Sequence, residues 1–281
     1  MSSLKGGVGK TTIALGLASA AFSRGLSTLV IDLDPQSDIS TGLDVDPSGQ
    51  ANIADVLANP ARMRDAIVKS GWNKHHAGHI DLLLGSPSAI NHDGPHPSMR
   101  DIWRLEDAIA PLEKEYDFVI IDCPPSLNAL TRTGWAASDR TLIVTEPSLF
   151  SVAAADRALR AIDEVRAGIS SRLAPLGIVI NRTRSKSPEH KYRIREMREM
   201  FGAMVLDPVF MERSSVQQST GSAKPIHMWP TDGARQAAGS YDTLLDIAAK
   251  SMNMNIPAAP QNSTPLFNTD DILDETGETI L

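Results

Sequence analysis

The chain has 281 residues, 42% of them hydrophobic and 22% charged, enough apolar material for one substantial core. At first sight its formal net charge of −7 argues against a nucleic-acid partner, and its single cysteine excludes a disulfide framework or a four-cysteine metal site within one chain. No apolar run approaches the roughly 18 residues of a membrane span and no signal-peptide core follows Met1, so the cytoplasm is the expected compartment.

The first motif in the chain is Lys5-Gly6-Gly7-Val8-Gly9-Lys10-Thr11-Thr12, which runs straight into a helical pattern over 11–23. A glycine-rich turn lets successive backbone N–H groups point at phosphate oxygens without Cβ obstruction. The helix start that follows adds unpaired N–H groups and a favourable dipole. Lys10 is the residue to reach the β- and γ-phosphates, and Thr11 the one to place a hydroxyl on Mg²⁺. The strict phosphate-loop pattern wants glycine where Leu4 stands, so the match is to the variant carrying a lysine at position 5.

Downstream, short apolar runs at 28–31, 80–84, 118–121, 141–144, 176–180 and 205–210 read as strands. Helical patterns at 99–115, 127–137, 152–167, 189–201 and 233–251 fall between and after them. This alternation predicts an α/β fold with a doubly wound, mostly parallel sheet flanked by helices. The segment 86–98, with three prolines and a glycine, reads as a loop. Two strands end in acid motifs, Ile31-Asp32-Leu33-Asp34-Pro35-Gln36 and Ile121-Asp122-Cys123-Pro124-Pro125-Ser126. The carboxyl edge of a parallel sheet is where ligands bind, and phosphoryl transfer needs an anchored Mg²⁺ and an aligned water. Asp122 suits the metal side and Asp34 the water side. Either Asp alone also suits an ordinary strand-ending turn, whereas three motifs in this order specify a Mg-nucleotide site.

The charge is unevenly spread. Residues 182–198 hold seven Lys or Arg against two Glu, a local charge of +5. That segment reads either as a solvated helix face or as a surface for a polyanion. Residues 255–281 carry five Asp or Glu and no Lys or Arg, a charge of −5, so the other 254 residues carry only −2. With three prolines among small polar residues, this stretch is expected to be a disordered acidic tail following one domain over 1–254. The five histidines His75, His76, His79, His92 and His96 read as solvent-facing loop residues rather than a metal site. The four tryptophans read as packing residues, and Met197, Met200 and Met204 as core filler.

KGGVGKTT at 5–12, VIDLDPQ at 30–36 and FVIIDCPPS at 118–126 resemble the ParA/MinD group of deviant Walker-A ATPases, and within it the ParA/Soj partitioning type. The likeness extends more weakly through Ile180-Asn181-Arg182 to Lys224-Pro225-Ile226. It implies a P-loop ATPase that binds ATP and Mg²⁺ on Gly6 to Thr12 and dimerises around two nucleotides. In that dimer Lys5 reaches the partner's nucleotide, and Asp34 is needed for hydrolysis. The resemblance makes Pro35 and Gln36, with Pro124, Pro125 and Ser126, switch residues, and Asn181 the reader of adenine. An end-of-strand turn is the plain alternative for Asn181. It further implies nonspecific DNA binding and a ParB-type activator, with Arg184, Lys186, Lys191, Arg195 and Arg213 as the candidate DNA face. The family's DNA-contacting arginine falls at Ser215, two residues from Arg213.

The resemblance also implies an apolar strand leading into the loop. Only Met1-Ser2-Ser3-Leu4 stands there, so a truncated first strand is expected. A positioner of non-DNA cargo or a division-associated regulator has the same sequence features. A MinD-like membrane ATPase would end in a basic amphipathic helix, whereas here an acidic stretch follows 241–251. An iron-protein-like electron carrier needs two cysteines per subunit, and a dethiobiotin-synthetase-like ligase lacks the Asp34-Pro35-Gln36 pattern.

Overall fold

Short apolar runs without polar alternation belong in a sheet covered on both faces, and the chain arranges them so. The structure, a computed structural model, describes residues 1–260. The elements run α1 (Lys10–Ser23), β1 (Ser27–Asp32), α2 (Ile39–Gly42), α3 (Ile53–Ala58), α4 (Met63–Ala66), β2 (Ile67–Lys69), β3 (His79–Leu83) and α5 (Met99–Ile109). They continue with β4 (Phe118–Asp122), α6 (Ala129–Ala136), β5 (Arg140–Thr145), α7 (Ser151–Gly168), β6 (Ala174–Ile180), α8 (Pro188–Phe201), α9 (Ser214–Gly221) and α10 (Asp232–Ser251). The strands pair in the orders β2-β3-β1-β4 and β5-β6, all parallel except β2. Val30 faces a core layer shared with α1 and α10, while Leu29 and Ile31 face the opposite layer, shared with α3, α5, α6 and α7. The mostly parallel α/β sheet with helices on both faces is therefore as expected.

Helix α1 is buried almost all round because it lies between the sheet and α10. Gly16 is where the two helices meet, since a Cβ there would stand 2.0 Å from the Tyr241 ring. Beneath them the Arg24 guanidinium is wholly covered and donates to Asp242 and Asp246. Ser19 and His227 share a 2.7 Å hydrogen bond in the same region.

Between β4 and β5 the backbone of Met1 and Ser2 stands where a strand would. The Met1 ammonium donates to the Ile121 carbonyl at 2.7 Å and Cys123 N–H donates to Met1 O at 3.1 Å. Ser2 N–H donates to Leu142 O at 2.9 Å, and Ser2 O accepts from Val144 N–H at 2.8 Å. The result is a single parallel bridge to Ile143. Below it lies a cavity of about 230 Å³, lined among others by Met1, Val119, Ile121, Arg140, Leu142 and Met252.

Several expectations need correction. The run 205–210 is no strand: Val205 makes one bridge to Ile178, and only Leu206 and Phe210 donate to β6. Pro208 has no N–H to give, and Gly202–Met204 is a 3₁₀ turn that delivers the chain there. The helix expected over 99–115 stops at Ile109, where Pro111 turns the chain into a 3₁₀ segment. Within 86–98 a 3₁₀ turn covers Pro87–His92. Strand β2 and helices α3 and α9 were not anticipated. Of the three methionines expected in the core, Met197 is buried but Met200 is exposed, because α8 packs Ile194, Met197 and Phe201 against the core and Met200 lies off that face. Trp72, Trp135 and Trp229 are buried as packing residues. Within 255–260, Ile256 packs on the α1 layer and Pro257 O accepts from Arg24. The remainder of the expected tail, 261–281, lies outside the described residues.

Candidate functional site

Strand register builds the site. β1 and β4 are neighbours with Asp32 opposite Asp122, so two carboxylates end adjacent strands side by side. The helix that opens at Lys10 points its first turn at the same edge. Asp122 is fully buried and bridges the two: it accepts from Lys10 Nζ at 2.8 Å and from Thr11 Oγ1 at 2.7 Å. Asp34 lies beyond the strand end, 3.3 Å from Lys10 Nζ, with its other oxygen accepting from Gln36 N–H at 3.1 Å. Asp32 accepts from the N–H groups of Asp34 and Ile39.

One buried ammonium therefore faces Asp122 and Asp34, with Asp32 alongside Asp122 on the neighbouring strand, and the charges respond. Burial and the neighbouring Asp122 charge push the Asp32 carboxyl up to about 8, against the pull of its backbone donors. Burial opposes the charge on Lys10, but Asp122 and Asp34 outweigh it and hold the amine above its ordinary value. Such a cluster has spare negative charge and a threonine hydroxyl on its rim. That donor set, all oxygen and all hard, fits a divalent cation such as Mg²⁺.

The loop geometry fits a phosphate. Gly7 and Gly9 hold φ of 78° and 86°, in the left-handed region. A Cβ on Gly9 would meet Asn181 Nδ2 at 2.3 Å, so the loop and Asn181 are packed as one piece. Asn181 is buried and donates from Nδ2 to Val8 O at 2.9 Å. It also lines a cavity of about 70 Å³ with Thr12, Arg182, Phe210, Arg213 and Tyr241. This cavity adjoins the first turn of α1, whereas the larger one by Met1 is at the other end of the strands.

The structure thus brings together Lys10, Thr11, Asp34 and Asp122, with Gly6 to Thr12 and Asn181 around them. Pro35, Gln36, Pro124, Pro125 and Ser126 follow the two acid strand ends; Gln36 and Pro125 are exposed, while Pro124 is buried. Lys5 does not join the cluster. It turns outward and its ammonium pairs with Glu146 at the end of β5. The sequence reading missed Glu146, and it missed Asp32 as a member of the acid group. Asp32 had a signal, since its place two residues before Asp34 ends the same strand. Glu146 had none, being 141 positions from Lys5.

The basic candidates separate. Arg184 is paired with Glu212, Arg193 with Glu189 and Glu196, and Arg198 with Asp207. Among the described residues Lys186, Lys191 and Arg195 are exposed without an acidic partner, and Lys191 and Arg195 line a shallow groove on α8. Arg213 lies instead in the cavity beside Asn181. Ser215 is buried on α9, 5% exposed, so its position faces inward rather than toward a polyanion. No group of three or more His, Cys, Asp or Glu residues able to hold a metal by themselves occurs among the described residues, the histidine-rich segment included.

Comparison with known proteins bears on the family and the fold. Residues 1–174 match the family model described as an AAA domain. The chain is 28% identical over 268 residues to the chromosome partitioning protein ParA of Myxococcus xanthus, covering 93% of this chain and 89% of that protein. It is 30% identical over 232 residues to the ParA of Caulobacter vibrioides, covering 80% and 84%. Among solved structures, cobyrinic acid a,c-diamide synthase from Mycobacterium smegmatis with bound ADP and magnesium superposes with a TM-score of 0.73 at 22% identity, covering 92% of this chain and 96% of that one.

Proposed function

We propose, from the premise that this chain belongs to the ParA/Soj family of P-loop ATPases, that it is a slow, Mg²⁺-dependent ATP switch that dimerises on ATP and binds nonspecific DNA. A ParB-type partner returns it to the free state, so that it segregates or positions chromosomal or plasmid DNA. The observation that carries this reading is the cluster of Lys10, Thr11, Asp34 and Asp122 at the mouth of the glycine loop.

Each residue has a task that its position supports. The loop N–H groups and Lys10 take the phosphates, with Lys10 leaving Asp122 and Asp34 for them. Thr11 and Asp122 would hold the Mg²⁺, which would supply neutralisation of phosphate charge. Asp34, released from Lys10, orients the attacking water. Asn181, Arg182 and Tyr241 line the cavity suited to the base. Because Asp34 to Gln36 and Asp122 to Ser126 continue directly from the strand ends, occupancy of the γ-phosphate position is felt there first. Hydrolysis then times the dimer and its DNA affinity.

The exposed Lys186, Lys191 and Arg195 support a DNA face, doubled in a dimer. The reading puts the ATP-bound protein on the nucleoid, in the cytoplasm. The reading does not call on lipid, since the apolar face of α10 is spent against α1. No described helix is long and apolar enough to cross a membrane. A second reading, with non-DNA cargo or a division-associated role, draws on the three arginines already paired with acids and on the inward Ser215. DNA retention on a filter decides between them. Six free cations per dimer predict a loss on the order of a thousand-fold between ~50 and ~200 mM salt, and only with ATP. Retention that ignores nucleotide, or survives charge reversal of Lys186, Lys191 and Arg195, overturns the DNA reading.

A further inference from the structure

The two lysines of the phosphate loop point in opposite directions. Lys10 is buried at 6% exposure among carboxylates, whereas the Lys5 side chain is 51% exposed and ends on Glu146. Glu146 is not a floppy partner. It follows Thr145, the last residue of β5, and its carbonyl accepts from Ser151 Oγ and from Ser148 N–H, the turn that opens α7. Its carboxylate, 25% exposed, is thereby held on a fixed turn beside the loop. Leu149 and Phe150, the next residues of that turn, stand 59% and 71% exposed.

From this arrangement we infer that Glu146 is a positioning residue that parks Lys5 in cis and so sets the threshold for dimer formation. The inference rests on the reading that Lys5 acts on a second copy's nucleotide. To get there the Lys5 ammonium must leave Glu146. The exchange is ion pair for ion pair, so no proton moves and no covalent bond changes. What it forfeits is the cis pair, once in each copy, and it leaves two carboxylates facing incoming phosphate charge. An exposed pair is worth little, so the restraint is a bias rather than a lock. The exposed Leu149 and Phe150 beside it mark the same surface as one that a second copy would cover.

Removing the Glu146 charge should therefore tighten the ATP-dependent dimer. With two pairs of ordinary exposed strength released per dimer, the dissociation constant should fall by about 2- to 30-fold. The protein concentration giving half-maximal ATPase activity should fall with it.

The test is sedimentation velocity across a protein dilution series in Mg-ATP, for wild type, Glu146→Gln, Glu146→Asp, Lys5→Ala and the double variant. Tightening by Glu146→Gln, matched by Glu146→Asp because the shorter side chain withdraws from the ammonium, supports the restraint. So does its disappearance in the Lys5→Ala background, because the effect must run through Lys5. The inference is overturned if Glu146→Gln leaves the constant unchanged or weakens it, or if it shifts the constant equally in the Lys5→Ala background. A Lys5→Ala protein that dimerises like wild type defeats the trans-lysine reading itself. If Lys5→Ala blocks dimerisation while Glu146→Gln changes nothing, the restraint alone fails.

Discussion

Replacing Lys10 by methionine separates the electrostatic role of this lysine from its role toward nucleotide. The change keeps side-chain volume and removes the ammonium that Asp122 and Asp34 share at 2.8 and 3.3 Å. Both atoms of the main pair are out of solvent, at 6% and 1% exposure, so screening gives no discount. Taking one partner from a buried pair costs about 3–5 kcal/mol. For a domain of this size that is a fall in Tm of roughly 6–20 °C. The pH dependence fixes the sign. Burial and the Asp122 charge push the Asp32 carboxyl in this cluster up to about 8, so it takes up a proton more readily in the native state than in the unfolded chain. The native state then binds the extra protons, so stability declines as pH rises between the unfolded and folded values. Thermal melts without nucleotide should show the full deficit near pH 8 and a much smaller one near pH 5. A deficit independent of pH, or none at all near pH 8, would refute the idea that this lysine neutralises the acid cluster.

Two other perturbations follow from the packing. Gly9→Ala forces a left-handed residue at about 1–2 kcal/mol and drives its Cβ into Asn181 Nδ2, so nucleotide affinity by fluorescence titration should fall at least ten-fold; unchanged affinity would separate Asn181 from the loop. Asp242→Asn should cost about 3 kcal/mol by denaturant melts at neutral pH, because Arg24 loses one of its two acid partners. Burial alone would raise the Asp242 carboxyl, but His227 and Arg24 hold it below its ordinary value. Its contribution is therefore present at neutral pH and is lost as pH falls below the ordinary carboxylate range, so the gap between variant and wild type should narrow on acidification.

Much of this could be read from the residues, and the exceptions have physical causes. The loop and the two acid strand ends were legible because phosphate chemistry demands particular side chains at close spacing in sequence. The sheet was legible because Leu29 to Ile31, Ile120 and Ile121, and Leu142 to Val144 are unbroken apolar runs. What escaped was set by tertiary contact. The register that puts Asp32 opposite Asp122 is a property of two strands, not of either. The 205–210 run has strand composition, yet Pro208 and the approach from Gly202 leave it only touching β6. The basic segment read as +5, but acids at Glu212 and Asp207, outside it in sequence, take up Arg184 and Arg198.

The central claim is that ATP, and not ADP, holds two copies together until Asp34 allows hydrolysis. Sedimentation of wild type and Asp34→Ala, each with Mg-ATP or Mg-ADP, tests it most directly. The account predicts that wild type dimerises in ATP and reverts to monomer as ATP is consumed, that Asp34→Ala stays dimeric, and that both are monomers in ADP. An Asp34→Ala protein that is monomeric in excess ATP, or a dimer equally stable in ADP, would contradict it.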